Sequence, residues 1–174
     1  MTMGLFRRGE RRPDSLVGVD LGLEQGEQVL ASCVDTVTGD RLVVATFSLL
    51  VVETDGSVRL HRPWHLVDTG SYDNEADVLR VSWVDRAADL ALNVGAHRPF
   101  LMAFRERVQA SVVIAETVEI DERRSARVVI RKDLARDRLL DQVILGRGVR
   151  LADPGVRPRI QAVRQQLREQ VGLS

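Results

Sequence analysis

Two neighbouring stretches of strict alternation constrain the folding of this chain more than any other feature. Leu79, Val81 and Trp83 are separated by Arg80 and Ser82, and after a short polar turn Leu90, Leu92 and Val94 alternate with Asp89, Ala91 and Asn93. Successive strand side chains point to opposite sides, so period two over both segments predicts a β-hairpin with one buried face. Phe100, Phe104, Val108 and Val112 then recur every four residues, which puts them on one stripe of a helix able to lie on apolar strands. A sheet sealed by a helix is the expected plan, in a chain that is mainly β with helices (α+β).

Turn signals divide the preceding sequence into further strands. Residues 28–35 read as the first, Thr38-Gly39-Asp40 as a turn, and 41–46 and 49–53 as the second and third. Asp55-Gly56 is a dipeptide suited to a tight hairpin. Residues 58–62 follow as a fourth strand, Pro63 forces a bend or an edge, and 66–72 make a fifth, with Gly70 expected at a bulge. With the hairpin, this gives seven short strands at spacings near ten residues, a pattern that favours a small barrel or sandwich. Pro99 suits the first turn of the closing helix.

Three regions are expected. Residues 1–23, with Arg7, Arg8, Arg11, Arg12 and several glycines, read as a flexible basic arm. Residues 24–112 form the β domain with its capping helix. Residues 113–174 read as a β-β-β-α extension: strands at 113–120, 126–131 and 139–145, then Asp153-Pro154 as N-cap and first turn of a helix carrying Ile160, Val163, Leu167 and Val171. Three strands and a helix would be marginal alone, so the extension should dock on the first unit and share its core.

Composition narrows the function classes. A chain of 174 residues with 44% hydrophobic and 29% charged residues is an ordinary globular protein. Its longest nearly apolar run, residues 42–52, is too short for a spanning helix of about 20 residues, and no apolar segment follows the N-terminal arginines as a secretory signal requires. Cys33 has no disulfide partner and sits in an apolar strand pattern, as a core residue in a reducing cytoplasm would. The net charge of zero hides an asymmetry: residues 13–122 hold eight arginines against nineteen acids, and residues 123–168 hold thirteen basic residues against four acids. Either the two parts neutralise one another, or the basic part meets a polyanion.

Seven strands followed by a helix resemble the pleckstrin-homology (PH) superfold, and the local text resembles bacterial PH-like proteins common in actinobacteria. The resemblance is carried by Thr46-Phe47-Ser48-Leu49-Leu50-Val51-Val52, by Pro63-Trp64-His65-Leu66-Val67 and by the alternating segment from Leu79 to Trp83, within roughly residues 23–112. It implies a seven-stranded PH-like barrel or sandwich capped by a helix. It also suggests phosphoinositide binding, but the first hairpin reads Asp35-Thr36-Val37-Thr38-Gly39-Asp40-Arg41, and two acids against one base repel a polyphosphate.

No motif marks a reaction centre. His61 and His65, with Asp68, are the one cluster that suggests a metal, yet Pro63 argues against a helix there, and on a strand the histidines would stand roughly 13 Å apart. Asp73, Asn74, Glu75 and Asp77 lack the order of a calcium loop. Arg123, Arg124, Arg127, Arg131 and Lys132 are the candidate contact for a polyanion or partner, although no aromatic residue follows Phe104 to stack on single strands. Pairing of these cations with the acidic unit is the plainer reading. The expected function is a non-enzymatic, cytoplasmic PH-like interaction module without a cofactor, docking another protein or itself. The alternative is a binder of nucleic acid or an anionic membrane surface through the basic part and the arm.

Overall fold

The computed structural model describes residues 16–173. Four strands, β1 (Val29–Val34), β2 (Arg41–Ala45), β3 (Ser48–Val52) and β4 (Val58–Pro63), form an antiparallel meander. A single 3-10 turn at Trp64–Leu66 leads into a second sheet of β5 (Val67–Asp73), β6 (Val78–Trp83) and β7 (Leu90–Asn93). The α1 helix (Arg98–Ser111) follows, and β8 (Val112–Glu119), β9 (Ser125–Asp133) and β10 (Arg138–Leu145) make a third sheet that precedes α2 (Val156–Gln170). The described residues are thus mainly β, with three sheets and two helices.

The alternating hairpin behaves as its periodicity requires. Leu79 pairs with Leu92, and Leu79, Val81, Trp83 and Leu92 enter one core with Phe100 and Phe104 of α1. His97 caps that helix by accepting the Phe100 N–H on Nδ1, and a proline occupies its first turn. The expected stripe is one residue too long, because the helix ends at Ser111 and Val112 opens β8. Trp64 is the largest wholly buried side chain; its Nε1–H donates to the Ala45 carbonyl at 2.9 Å, and its ring meets Phe104 edge-on with centroids 5.6 Å apart.

The apolar run at 42–52 has a different meaning from a failed membrane segment. Leu42, Val44, Leu49 and Val51 face the main core, whereas Val43, Ala45, Leu50 and Val52 face a second cluster on the opposite side of the sheet. Strands buried on both faces read as continuous hydrophobic text. The cover on the outer face comes from Leu16 and Leu21, both buried, with Val19 and Leu23 packed beside them. This corrects the expected arm: residues 16–23 are packed, since their leucines match an apolar sheet face. Gly18 and Gly22, at φ of 83° and 60°, supply backbone conformations in this packed segment that L side chains rarely adopt. Arg7, Arg8, Arg11 and Arg12 lie outside the described residues.

Glu27 pins this wrapping segment to the sheet. Its carboxylate, wholly buried as a side chain, accepts from the Ser48 hydroxyl at 2.5 Å, the Phe47 N–H at 3.2 Å and the Glu24 N–H at 3.0 Å. Asp35 closes the other end of β1: it accepts from the Val37, Thr38 and Asn93 N–H groups, so the first hairpin turn is tied to β7. Burial would raise the Asp35 pKa, but the N–H groups of Thr38, Asn93 and Val37 outweigh it and hold the carboxyl below its ordinary range.

The extension builds its own core, contrary to the expectation of a shared one. Val118, Ala126, Val128 and Ile130 pack against Val156, Ile160 and Leu167 of α2. Among the extension's described residues, Leu134 is the one that packs on the first unit's core cluster. The reason is the alternation of β9, whose other face presents Arg127, Arg131 and Asp133 with Val129 as its one apolar member. The α2 N-cap is Gly155 at φ 74° instead of the expected Asp153. The Asp153 carboxylate is engaged by Arg124 and Arg150.

Asp141 of β10 anchors α2 by accepting from Arg164 at 2.5 and 3.0 Å and from Arg168 at 3.0 Å. The Arg164 hydrogen bond, with Arg168 and against desolvation, holds the Asp141 carboxyl below the usual carboxylate range. A carboxyl lowered on folding contributes stability that is present above its unfolded pKa near ~4 and is lost as pH falls through the lower folded value. Asp141→Asn should therefore cost on the order of 1–2 kcal/mol at neutral pH. In thermal melts from pH 7 to pH 2, the variant's acid-side decline should be shallower than that of the parent chain.

Candidate functional site

The five basic residues expected to form a common contact are dispersed by the fold. Arg123 sits exposed on the β8–β9 turn, where its N–H donates to Asp121. Arg124 pairs with Asp121 and Asp153 and donates to the Gly148 carbonyl. Lys132 pairs with Asp137. Arg127 reaches across to Asp68 of β5, and Arg131, 1% exposed, donates to Ser111 Oγ at 3.1 Å and to the Asp68 carbonyl at 3.3 Å. Arg127 and Arg131 therefore form the seam between the extension and the first unit, with Gln142 donating to the His65 carbonyl at 2.8 Å and Arg136 pairing with Glu24. Four of the five have internal partners, and Arg131 is closed to any macromolecule.

The other polar clusters also have structural roles. His61 lies on β4 with Nε2 3.9 Å from Glu27 Oε2. His65 lies in the 3-10 turn, where burial pushes its pKa below the ordinary histidine value. Asp68 is engaged by Arg127. Asp73 accepts from the Glu75 and Ala76 N–H groups, and Asp77 accepts from the Tyr72 hydroxyl, so the acidic stretch is a self-capped turn. Among the described residues no group of three or more His, Cys, Asp or Glu side chains is placed to hold a metal ion. Burial, reinforced by Asp35, raises the Cys33 thiol to about 12, which keeps it protonated and a poor nucleophile.

A different place on the first unit has the form of a docking site. β5 pairs with β6 on one side, and among the described residues no strand pairs with its other side. Thr69, Gly70 and Ser71 along it are exposed. Between this strand and α1 runs a cleft of about 310 Å³, lined by Gly70, Tyr72, Leu79, Leu101, Phe104 and Val108, with the exposed Arg105 and Gln109 at its margin. Gly70 is not the expected bulge; the irregularity falls between Val67 and Thr69. Glycine is required because the Phe104 ring lies over the backbone, where a Cβ would stand 2.3 Å from Cε1.

The sequence contained a partial signal for this cleft. Leu101, Arg105 and Val108 have helical spacing on a flank of α1 next to the core stripe, but which strand edge that flank faces is a matter of long-range packing. Compared with protein-family models, curated proteins and solved structures, the chain matches none. No helix among the described residues is long and apolar enough to cross a membrane.

Proposed function

We propose that this chain is a non-enzymatic PH-like interaction module that docks a partner protein by strand addition on β5. The observation that carries the reading is the unpaired β5 edge lying directly beside an apolar cleft. An unpaired edge offers a row of N–H and C=O groups for main-chain pairing, while the cleft offers a pocket for an alternate side chain of the added strand. The PH-like assignment is supported by the order of a four-stranded sheet, a three-stranded sheet and a helix, together with the Thr46–Val52, Pro63–Val67 and Leu79–Trp83 text. A protonated, half-buried single thiol suits a reducing cytoplasm.

Site-directed photo-crosslinking tests this reading. A photoreactive residue at Ser71 should yield a discrete protein adduct in cells, and one at the exposed Thr54 turn should not. Equal labelling at both positions, or none at Ser71, overturns docking at this edge.

The second reading, a polyanion binder, is favoured by one observation: Arg123, Arg147 and Arg157 are exposed and form no ion pair among the described residues. Neutralising several phosphates makes affinity fall steeply with salt. Because Arg124, Arg127 and Lys132 are paired internally, we expect early elution from immobilised heparin; retention that needs high salt for release would favour the polyanion reading.

A further inference from the structure

We infer that the segment received at the β5 edge is an extended acidic peptide of another protein, with a large apolar side chain two positions from an aspartate or glutamate. This rests on the docking reading above and adds the chemistry of the occupant.

Alternation sets the pattern. On β5 and β6 the inward residues are Gly70, Tyr72, Leu79 and Val81, whereas Thr69, Ser71, Arg80 and Ser82 face outward. A strand added to β5 continues the same pleat, so every second side chain points inward, toward the space between β5 and α1. Five apolar or aromatic side chains and the Gly70 backbone line that space, and its 310 Å³ lies at the small end of ligand pockets. It suits one large aliphatic or aromatic side chain.

The charge of the occupant follows from Arg105. Its guanidinium is exposed at the cleft margin and, like those of Arg123, Arg147 and Arg157, forms no ion pair among the described residues, whereas Arg59, Arg62, Arg124, Arg127, Arg136, Arg150 and Arg164 each hold a carboxylate. Among the described residues no carboxylate lines the cleft. Residues two apart on a strand are separated by roughly 6.6 Å on the same face, so an acid at that spacing reaches the arginine while its neighbour fills the apolar cleft. A guanidinium–carboxylate pair also has the geometry to fix register along the edge.

The test uses random decapeptides displayed on phage and selected on the whole chain, followed by fluorescence anisotropy with the selected synthetic peptides. Selected peptides should carry Asp or Glu two positions from Leu, Ile, Phe, Tyr or Trp. Arg105→Glu, an exposed substitution that leaves the core untouched, should weaken them at least tenfold, and replacing their acid with Arg should restore binding to that variant. Peptides without acid enrichment that ignore Arg105→Glu but are lost in Leu101→Lys overturn this inference and leave docking at β5 standing. Peptides that bind Leu101→Lys and Arg105→Glu as they bind the parent chain, or a selection that returns none, overturn both. Concentration-dependent dimerisation of the chain that Arg105→Glu abolishes makes a second copy the occupant and overturns the peptide partner.

Discussion

Trp64→Ala should reduce the free energy of unfolding by about 3–5 kcal/mol, the range for removing a large aromatic from a packed core. In a domain whose total stability is of order 5–15 kcal/mol, urea denaturation followed by far-UV circular dichroism should show a large drop in midpoint. Three losses combine at this position: the buried ring, the edge-on contact with Phe104, and the Nε1–H bond that satisfies the Ala45 carbonyl. Trp64→Phe separates them, because it keeps an aromatic ring and leaves the carbonyl without its donor, at about 1–3 kcal/mol. A double-mutant cycle with Phe104→Leu should return a coupling of roughly 0.5–1.5 kcal/mol for the ring pair. A Trp64→Ala variant as stable as the parent chain would contradict the placement of Trp64 between the two sheets and α1.

Glu27→Ala should follow closely, with a loss of about 3 kcal/mol or more. The substitution removes the acceptor of the buried Ser48 hydroxyl and of the part-buried Phe47 and Glu24 N–H groups; a fully buried orphan costs about 1–3 kcal/mol, and the two part-buried ones add less because water can reach them. Glu27→Gln should be milder yet still destabilising. Its carbonyl oxygen can accept from Phe47 and Ser48, but its amide then turns a donor toward the Glu24 N–H. Hydrogen exchange in Glu27→Ala should rise first in residues 16–28 and in the 46–48 turn, before the α1 region. Uniform loss of protection would show that Glu27 does not act as a local clasp between the wrapping segment and the first sheet.

The legible part of the fold was the part written in short-range periodicity. Leu79 with Leu92, Trp83 and the Phe100–Phe104 stripe could be assigned from alternation and helical spacing, because local geometry decides which side chains share a face. Strand ends fell within a few residues of their observed positions for the same reason. The candidate contact was less legible. Arg123, Arg124, Arg127, Arg131 and Lys132 form one dense charge run in sequence, but strand alternation sends Arg127 and Arg131 toward the seam and Lys132 to the opposite face, while a turn carries Arg123 into solvent. Residues 16–23 look like an arm in sequence because glycines that weaken a helix or strand are equally suited to wrapping a chain over an apolar surface.

Read by itself, the sequence determined that the chain builds antiparallel strands, turns at Gly39 and Gly56, and a helix that closes on Trp83 and Leu92. Those outcomes depend on neighbours within about ten residues. Tertiary structure alone decided that β2 and β3 are buried on both faces, that Glu27 meets Ser48, and that Arg131 ends beneath Ser111 and Asp68. The same holds for the cleft between β5 and α1, whose walls come from Gly70 and Phe104, 34 residues apart in sequence. Such pairings follow from how sheets and helices stack, a choice made by total apolar burial and hydrogen-bond satisfaction over the whole molecule and not written in any one window of the chain.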